Sequence, residues 1–89
     1  MPNKAIFFDR DGTLNVDVHY LHDPVDFVWV EGAIEAIRWA NEHGYLVIVV
    51  TNQSGIARGY YDEAAVHHLH DWMNVELARQ GARIDAFYY

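Results

Sequence analysis

Two short apolar runs, each ending abruptly in polar residues, constrain the fold of this chain more than any other feature. The first run covers residues 5–8 and is followed by the polar segment DRDGT at residues 9–13. The second covers residues 46–50 and is followed by TNQSG at residues 51–55. Buried parallel strands have this pattern, and the β-branched composition of the second run predicts a strand that helices cover on both faces.

Helical spacing of apolar residues predicts one helix between the two runs and another after them. The first shows this spacing over residues 33–40, and Gly44 is the expected left-handed terminator. The second is expected to begin near residues 62–63 and to stop at Gly81, and residues 84–89 then read as a third strand. The alternating order predicts an α/β fold in which three parallel strands form one sheet with flanking helices.

A long connection, residues 14–30, separates the first strand from the first helix. Connections of this length in compact domains are more often functional than accidental. Within it Val25, Phe27 and Trp29 alternate with other residues, so this part is equally consistent with a short strand that packs over the core.

Composition and charge exclude several classes of protein. The 13 acidic residues outnumber the 6 Lys and Arg, which gives a formal net charge of −7 and argues against nucleic acid as a partner. Without cysteine, the chain is expected to have neither a disulfide framework nor a thiolate metal site. Because no apolar stretch is long enough for a signal peptide or a membrane span, we expect a cytoplasmic protein with no membrane partner.

The polar residues that follow the two runs form the candidate site, because ligands bind at the carboxyl ends of parallel strands. Asp9 and Asp11 lie on the same side of an extended backbone. Both acids can act in catalysis when a divalent cation keeps one ionised while the other is protonated. Phosphoryl transfer through an aspartyl-phosphate requires this pair of states. Thr51 and Asn52 offer a hydroxyl, an amide and backbone N–H groups to the phosphoryl oxygens. A solvated turn and a helix cap are the structural alternatives for these two pairs.

Residues 7–15 (FFDRDGTLN) resemble the first motif of the haloacid-dehalogenase-like phosphatases. Residues 49–59 (VVTNQSGIARG) resemble the second motif in the histidinol-phosphatase and heptose-bisphosphatase branch of that family. The resemblance implies the family's Rossmann-like fold and a Mg²⁺-dependent phosphatase that acts on a small phosphorylated metabolite. D-glycero-D-manno-heptose 1,7-bisphosphate is the first substrate it suggests, and histidinol phosphate is the second.

Carried over position by position, the resemblance implies that Asp9 is the nucleophile and that Asp11 is the general acid and base. It also implies that the Asp9 carboxylate and the Asp11 main-chain carbonyl bind Mg²⁺. The resemblance places further residues in contact with substrate, namely Asp17, Val18, His19, Tyr20, Thr51, Asn52, Gln53 and Ser54. Two arginines stay open: Arg10 is expected to make a surface ion pair, and Arg58 either faces the pocket or caps a helix.

The chain departs from the family pattern in lacking a third motif with a lysine and a fourth with a further metal-binding Asp. Its only lysine, Lys4, begins the first strand, and Asp85 begins the third. The ligands of the Zn²⁺ expected in complete family members are absent as well. We therefore expect residues 1–89 to be the amino-terminal portion of one such domain. A non-catalytic phosphate-binding fragment and a 3′-phosphatase of nucleic-acid ends are the alternative functions.

The missing later strands have a physical consequence, since they would leave the first strand with an exposed apolar edge. This predicts marginal stability or self-association. The histidine pairs, His67 with His70 and His19 with His22, are expected to lie on solvated surfaces rather than to bind metal. Two tryptophans on the predicted helices are expected to be packing residues, namely Trp39 and Trp72.

Overall fold

Three strands and two α-helices alternate along residues 4–18, 21–51 and 58–89, the residues that the computed structural model describes. The elements in chain order are β1 (Lys4–Asp9), α1 (Ala33–Glu42), β2 (Tyr45–Val50), α2 (Glu63–Ala78) and β3 (Ala86–Tyr88). The strands pair in parallel in the order β1-β2-β3. The predicted α/β architecture with three parallel strands is therefore confirmed.

Both helices pack on one face of this sheet. Right-handed crossovers that step in one direction across a sheet place their helices on the same side. Val47 and Val49 of β2 point to that side and are 0% exposed, in one core cluster with Ile37 of α1 and Met73 of α2. The core therefore lies between the helices and this single face.

The opposite face of the sheet is open in the described part of the chain. Phe7 is 66% exposed, and Val50 and Tyr88 are also exposed. The prediction that helices cover β2 on both faces is therefore wrong for these residues. The β-branched composition of β2 indicates that the strand suits an apolar environment, but it does not indicate which face is covered. The direction of the crossovers decides which face the helices cover.

The end of α1 and the start of α2 follow the predicted residues, whereas α2 ends at Ala78, before the predicted Gly81. Asp62 caps α2, because its side chain accepts a hydrogen bond of 2.9 Å from the backbone N–H of Ala65. Gly44 has a φ of 79° and turns the chain from α1 into β2. Within the described residues, the helices are too short or too polar to cross a bilayer.

The third strand is shorter than the predicted 84–89 because side chains take over the hydrogen bonds of the segment before it. We call residues 82–85 the entry segment. The amide of Asn41 pairs with the backbone N–H and carbonyl of Arg83 at 2.8 and 3.1 Å. The amide of Asn74 pairs with the same groups of Ile84 at 2.8 and 3.2 Å. Strand pairing consequently begins only at Ala86.

The connection between β1 and α1 contains a short 3₁₀ helix, Pro24–Asp26, rather than a covering strand. Phe27 is buried and makes T-shaped contacts with Trp29 and Trp72 at centroid distances of 4.7 and 5.1 Å. Val25, however, is 82% exposed. The alternation of Val25, Phe27 and Trp29 therefore does not reflect a strand face.

Candidate active site

A pocket of about 200 Å³ opens at the carboxyl ends of β1 and β2. Its lining residues are Asp9, Arg10, Asp11, Val50 and Thr51. The two acids and the threonine that the sequence singles out thus share one cavity. Asp9 and Val50 are register partners at the last position of the β1–β2 pair, which is why the residues that follow the two strands meet here.

The backbone around the pocket is fixed by a tight turn after β1. The carbonyl of Arg10 accepts hydrogen bonds from the N–H groups of Leu14 at 2.8 Å and Asn15 at 3.2 Å. Gly12 adopts a φ of 84°, which a side chain would strain, and its N–H donates to the carbonyl of Asn15 at 2.8 Å. This turn holds Asp11 beside the end of β1.

Thr51 is buried and directly follows β2. Its N–H donates to the carbonyl of Tyr88 at 2.9 Å, which extends the pairing with β3 by one bond. The expectation that this N–H is available to phosphoryl oxygens is therefore wrong. Thr51 itself lines the pocket.

The carboxylate of Asp9 is exposed. Within the described residues it takes part in neither a hydrogen bond nor an ion pair. A carboxylate in this state retains its lone pairs for attack on an electrophile or for a cation. Asp9 therefore has the chemical freedom that a nucleophile needs.

The carboxylate of Asp11 is held by two neighbours. Its Oδ1 accepts from Arg10 Nε at 3.1 Å and from Asn15 Nδ2 at 3.0 Å, and its Oδ2 accepts from Arg10 Nη2 at 3.3 Å. The side chain stays 27% exposed. Oδ2 has the longer single contact and is therefore the oxygen more available for proton exchange.

Arg10 is buried, not on the surface. Its side chain is 1% exposed and pairs with Asp11, so the expected surface ion pair is wrong. Side chains alternate between the two faces of a strand, so Arg10 points to the same side as Ile6 and Phe8. The helices cover that side. The helices enclose a charge that the sequence pattern alone places at the end of a strand.

His70 of α2 is the partner of Arg10 on the other side, and it is 4% exposed. Arg10 Nη1 lies 3.1 Å from His70 Nε2, and because a guanidinium only donates, Nε2 is the acceptor and Nδ1 carries the proton. The pKa of His70 is lowered to about 4, mainly by burial; the charges of Arg10 and His67 contribute to the lowering and Asp11 opposes it. His70 is therefore neutral at pH 7.

The expectation that His67 and His70 share a solvated helix face is therefore wrong for His70. A signal for burial was present, since His70 lies four residues after Val66 and three before Met73, both in the buried stripe of α2. His67 is exposed, and its Nε2 lies 3.0 Å from the hydroxyl of Tyr89.

Asn15 is a second residue that sequence reasoning missed as an individual group. It is 0% exposed and fixes Asp11, and its Oδ1 has no hydrogen-bond partner among the described residues. An amide between two acids, Asp11 and Asp17, in the segment after β1 was the available signal. Asn15 therefore positions Asp11 together with Arg10, since both donate to Oδ1.

Among the described residues, the other predicted site residues do not line this pocket. Asp17 and Val18 are exposed and do not line it, and neither does Arg58, which is also exposed. The remaining predicted residues lie outside the described part of the chain, namely His19, Tyr20, Asn52, Gln53 and Ser54.

The donor set of the pocket suits a hard cation. The Asp9 carboxylate is uncommitted, and the main-chain carbonyl of Asp11 accepts no hydrogen bond from the described residues. In the described residues no group of three His, Asp or Glu side chains is close enough to hold a metal. Two oxygen ligands still fit Mg²⁺, which commonly binds one or two protein groups and keeps several waters.

Comparisons with known proteins agree with this geometry. A family model described as polynucleotide kinase 3 phosphatase matches residues 4–84. A D-glycero-beta-D-manno-heptose-1,7-bisphosphate 7-phosphatase from Haemophilus influenzae is 49% identical over 87 residues, which are 98% of this chain and 47% of that protein.

Two solved structures share the fold. One is D,D-heptose 1,7-bisphosphate phosphatase from B. bronchiseptica complexed with magnesium and phosphate, with a TM-score of 0.88, 36% identity, and coverage of 96% of this chain and 48% of that one. The other is a Mesorhizobium loti protein described as a candidate HAD-like phosphatase, with a TM-score of 0.86, 42% identity, and coverage of 98% and 43%.

The chain therefore belongs to the polynucleotide kinase 3 phosphatase family and has the haloacid-dehalogenase-like fold that its two motifs predict. It spans about half the length of the curated relatives it matches.

Proposed function

We propose that this chain supplies the nucleophile and the acid–base group of a Mg²⁺-dependent phosphatase that hydrolyses a phosphate monoester. The observation that carries the proposal is the shared pocket, in which Asp9, Asp11 and Thr51 meet at the ends of two parallel strands. The exposed, uncommitted Asp9 and the anchored Asp11 differ as a nucleophile and a proton-transfer group should differ.

In the first step the Asp9 carboxylate attacks phosphorus and forms an acyl phosphate. The bond between phosphorus and the ester oxygen breaks, and that oxygen takes a proton from Asp11 as it leaves. Asp11 enters this step protonated and ends it as a carboxylate. The Thr51 hydroxyl at the pocket wall donates to a phosphoryl oxygen and orients the group for in-line attack.

In the second step water attacks the phosphorus of the acyl phosphate and gives a proton to Asp11. The bond between phosphorus and the Asp9 oxygen breaks, so that inorganic phosphate leaves and both acids return to their initial states. The Asp9 carboxylate and the Asp11 carbonyl would hold Mg²⁺, which, when bound, screens the negative charge of the phosphoryl oxygens. The magnesium in the B. bronchiseptica structure supports this assignment.

The proposed substrate is D-glycero-β-D-manno-heptose 1,7-bisphosphate, cleaved at its 7-phosphate. The name of the Haemophilus influenzae relative supports this choice at 49% identity. Histidinol phosphate is the second candidate. The substrate-contact roles of Asp17, Val18, His19, Tyr20, Asn52, Gln53 and Ser54 are part of the same proposal, and Asp17 and Val18 would reach substrate from the exposed loop after Asn15.

The proposal divides the catalytic groups of one family domain between residues 1–89 and the other half of that domain. Arg10 is the one cation among the described residues that line the pocket, and it is already paired with Asp11. A phosphate dianion would need further positive charge, so we propose that residues 1–89 act as the amino-terminal portion of a domain whose other half adds a lysine and a further Asp. Zn²⁺ binding by that other half, a cytoplasmic location and self-association through β1 belong to the same proposal.

A 3′-phosphatase of nucleic-acid ends is the second candidate, favoured by the description of the matching family model. The net charge of −7 opposes it, because a protein that neutralises several phosphates needs clustered Lys and Arg. A DNA strand that ends in a 3′-phosphate therefore belongs in the assay beside the sugar phosphates.

The test measures phosphate release with Mg²⁺ from the heptose bisphosphate, histidinol phosphate and the 3′-phosphorylated strand. It uses the 89-residue chain and the longest polypeptide that its reading frame encodes. Asp9→Asn removes the nucleophile with little change in shape. Asp26→Asn removes the same charge from an exposed position outside the pocket and is the matched control.

We expect the longer polypeptide to release phosphate from the heptose bisphosphate, Asp26→Asn to keep that activity and Asp9→Asn to lose it. Equal rates for Asp9→Asn and the unchanged sequence would refute the proposal. Phosphate binding without turnover in both lengths would identify a phosphate-binding module, and a preference for the DNA strand would identify the second candidate.

A further inference from the structure

The structure contains a buried link between the candidate site and the middle of α2. Arg10 Nη1 contacts His70 Nε2 at 3.1 Å, while Nε and Nη2 of the same guanidinium contact Asp11. Nη2 also lies 3.4 Å from the carbonyl of Leu21. The guanidinium is planar, so fixing one of its nitrogens fixes the direction of the other two.

His70 is itself held rigidly. Its ring stacks on Phe87 of β3 with a centroid distance of 4.0 Å and an interplanar angle of 9°. It is 4% exposed, and its Nε2 is the one side-chain acceptor that the described residues offer to Arg10 apart from Asp11. A buried guanidinium without that acceptor would be free to rotate or would draw in water.

We propose that His70 is a positioning residue that acts through Arg10 to hold the carboxylate of Asp11 in its acid–base orientation. The inference rests on the proposed function, in which Asp11 exchanges a proton with the leaving oxygen and then with water. His70 does not touch the reacting atoms. Its effect comes from orientation, because a displacement of about 1 Å can lower the rate by up to about a hundredfold, and catalytic groups must be held to within about 10–20°.

Three substitutions of His70 distinguish the effect of its hydrogen-bond acceptor, Nε2, from the effect of its ring. His70→Phe keeps a flat ring against Phe87 and removes the acceptor, whereas His70→Gln places an amide oxygen near the position of Nε2 and restores it. His70→Asn is polar but one methylene shorter, so it removes the acceptor even if the phenylalanine variant does not fold. His68→Phe is the control, because His68 is exposed on the same helix and does not line the active-site pocket.

The first measurement is the ¹⁵N NMR signal of the Arg10 Nε–H, recorded without substrate on the longest polypeptide that the reading frame encodes. In the unchanged protein we expect a resolved signal that exchanges slowly with water, since Arg10 is 1% exposed. We expect His70→Gln and His68→Phe to keep it. We expect His70→Phe and His70→Asn to broaden it or speed its exchange, and an unchanged signal in those two variants would overturn the inference.

The second measurement compares kcat/KM for two leaving groups. An alkyl phosphate needs a proton on its leaving oxygen, whereas p-nitrophenyl phosphate does not. We expect His70→Phe and His70→Asn to lower kcat/KM for the alkyl ester about tenfold and for the aryl ester less than about threefold, since a general acid contributes about 10²–10⁴-fold. We expect His70→Gln to recover the alkyl rate.

Equal losses on both esters would indicate a merely structural role and would overturn the inference. Failure of the proposed function looks different, because Asp9→Asn would then match the unchanged protein on both esters. In that case the Arg10 signal still decides whether His70 holds the guanidinium.

Discussion

At the pocket end of the sheet, the Asp9 carboxylate is exposed and makes no hydrogen bond within the described residues. At the entry segment, by contrast, Asn41 and Asn74 satisfy the backbone groups of Arg83 and Ile84 with four hydrogen bonds. Asp85 adds a fifth, because its Oδ2 accepts from the N–H of Val47 at 2.7 Å. Satisfied polar groups hold the fold, whereas an uncommitted carboxylate is available for chemistry.

Arg10 and His70 contribute both to the fold and to the candidate site. They are buried and hydrogen-bonded like the entry segment, but they hold a group of the pocket. A polar residue can therefore serve the site while it stabilises the fold. The contrast between the two regions consequently predicts which substitutions change rate, which change stability and which change both.

The largest effect is expected from Asp9→Asn, on rate alone. Loss of the nucleophile should reduce phosphate release at least about a thousandfold. The free energy of unfolding, measured in urea, should change by no more than about 0.5 kcal/mol, as is usual for an exposed side chain without partners. A large loss of stability in this variant would mean that Asp9 has a structural role and would break the comparison.

The next effect is a pH dependence of stability that comes from His70. The unfolded chain binds a proton at this residue near pH 6.5, whereas the folded protein does so only near pH 4. The free energy of unfolding should therefore fall as the pH drops from 6.5 to 4, by about 3 kcal/mol from this group. Urea unfolding across that range, compared with His70→Gln, measures it.

His70→Gln cannot take up a proton, so its stability should depend less on pH over the same interval. Parallel curves for the two proteins would show that His70 titrates normally in the folded state, and the buried link to Arg10 would then be wrong.

Asn74→Ala should change stability alone. It leaves the N–H and the carbonyl of Ile84 without partners in a partly buried place, at a cost of about 2 kcal/mol. Asn41→Ala should cost less than Asn74→Ala, because water can replace the exposed bonds to Arg83. Chemical unfolding measures both, and a fall in phosphate release per folded molecule would show that the entry segment also serves the site.

The smallest effect overall is expected from Phe7→Thr on the open face of the sheet. Threonine keeps the strand propensity, and the free energy of unfolding should change by less than about 0.5 kcal/mol. Light scattering should nevertheless show less self-association, because Phe7 is 66% exposed on β1 at the edge of the sheet. Val25→Thr, at an exposed position of the 3₁₀ helix away from the sheet, is the control and should leave the apparent mass unchanged.

Most of the secondary structure was predictable because it depends on local patterns. The strands β1 and β2 follow from continuous apolar runs. Gly44 indicates the end of α1, and Asp62 indicates the start of α2. The start of β3 was not predictable, because it depends on amide side chains that lie 42 and 10 residues from the backbone groups they bind.

The candidate site divides in the same way. That Asp9, Asp11 and Thr51 share a pocket follows from their places after two parallel strands. The burial of Arg10 does not follow from the sequence in this way. It depends on the packing of α2 over the covered face of the sheet, which brings His70 Nε2 to within 3.1 Å of Arg10 Nη1.

The sequence by itself determined the order of the elements and the end of the sheet at which the acids gather, because periodicity and polar strand ends are local properties of the chain. Only the tertiary structure decided which face of the sheet is covered, which acid is anchored and which is free. These depend on crossover direction and on contacts between residues up to 60 positions apart.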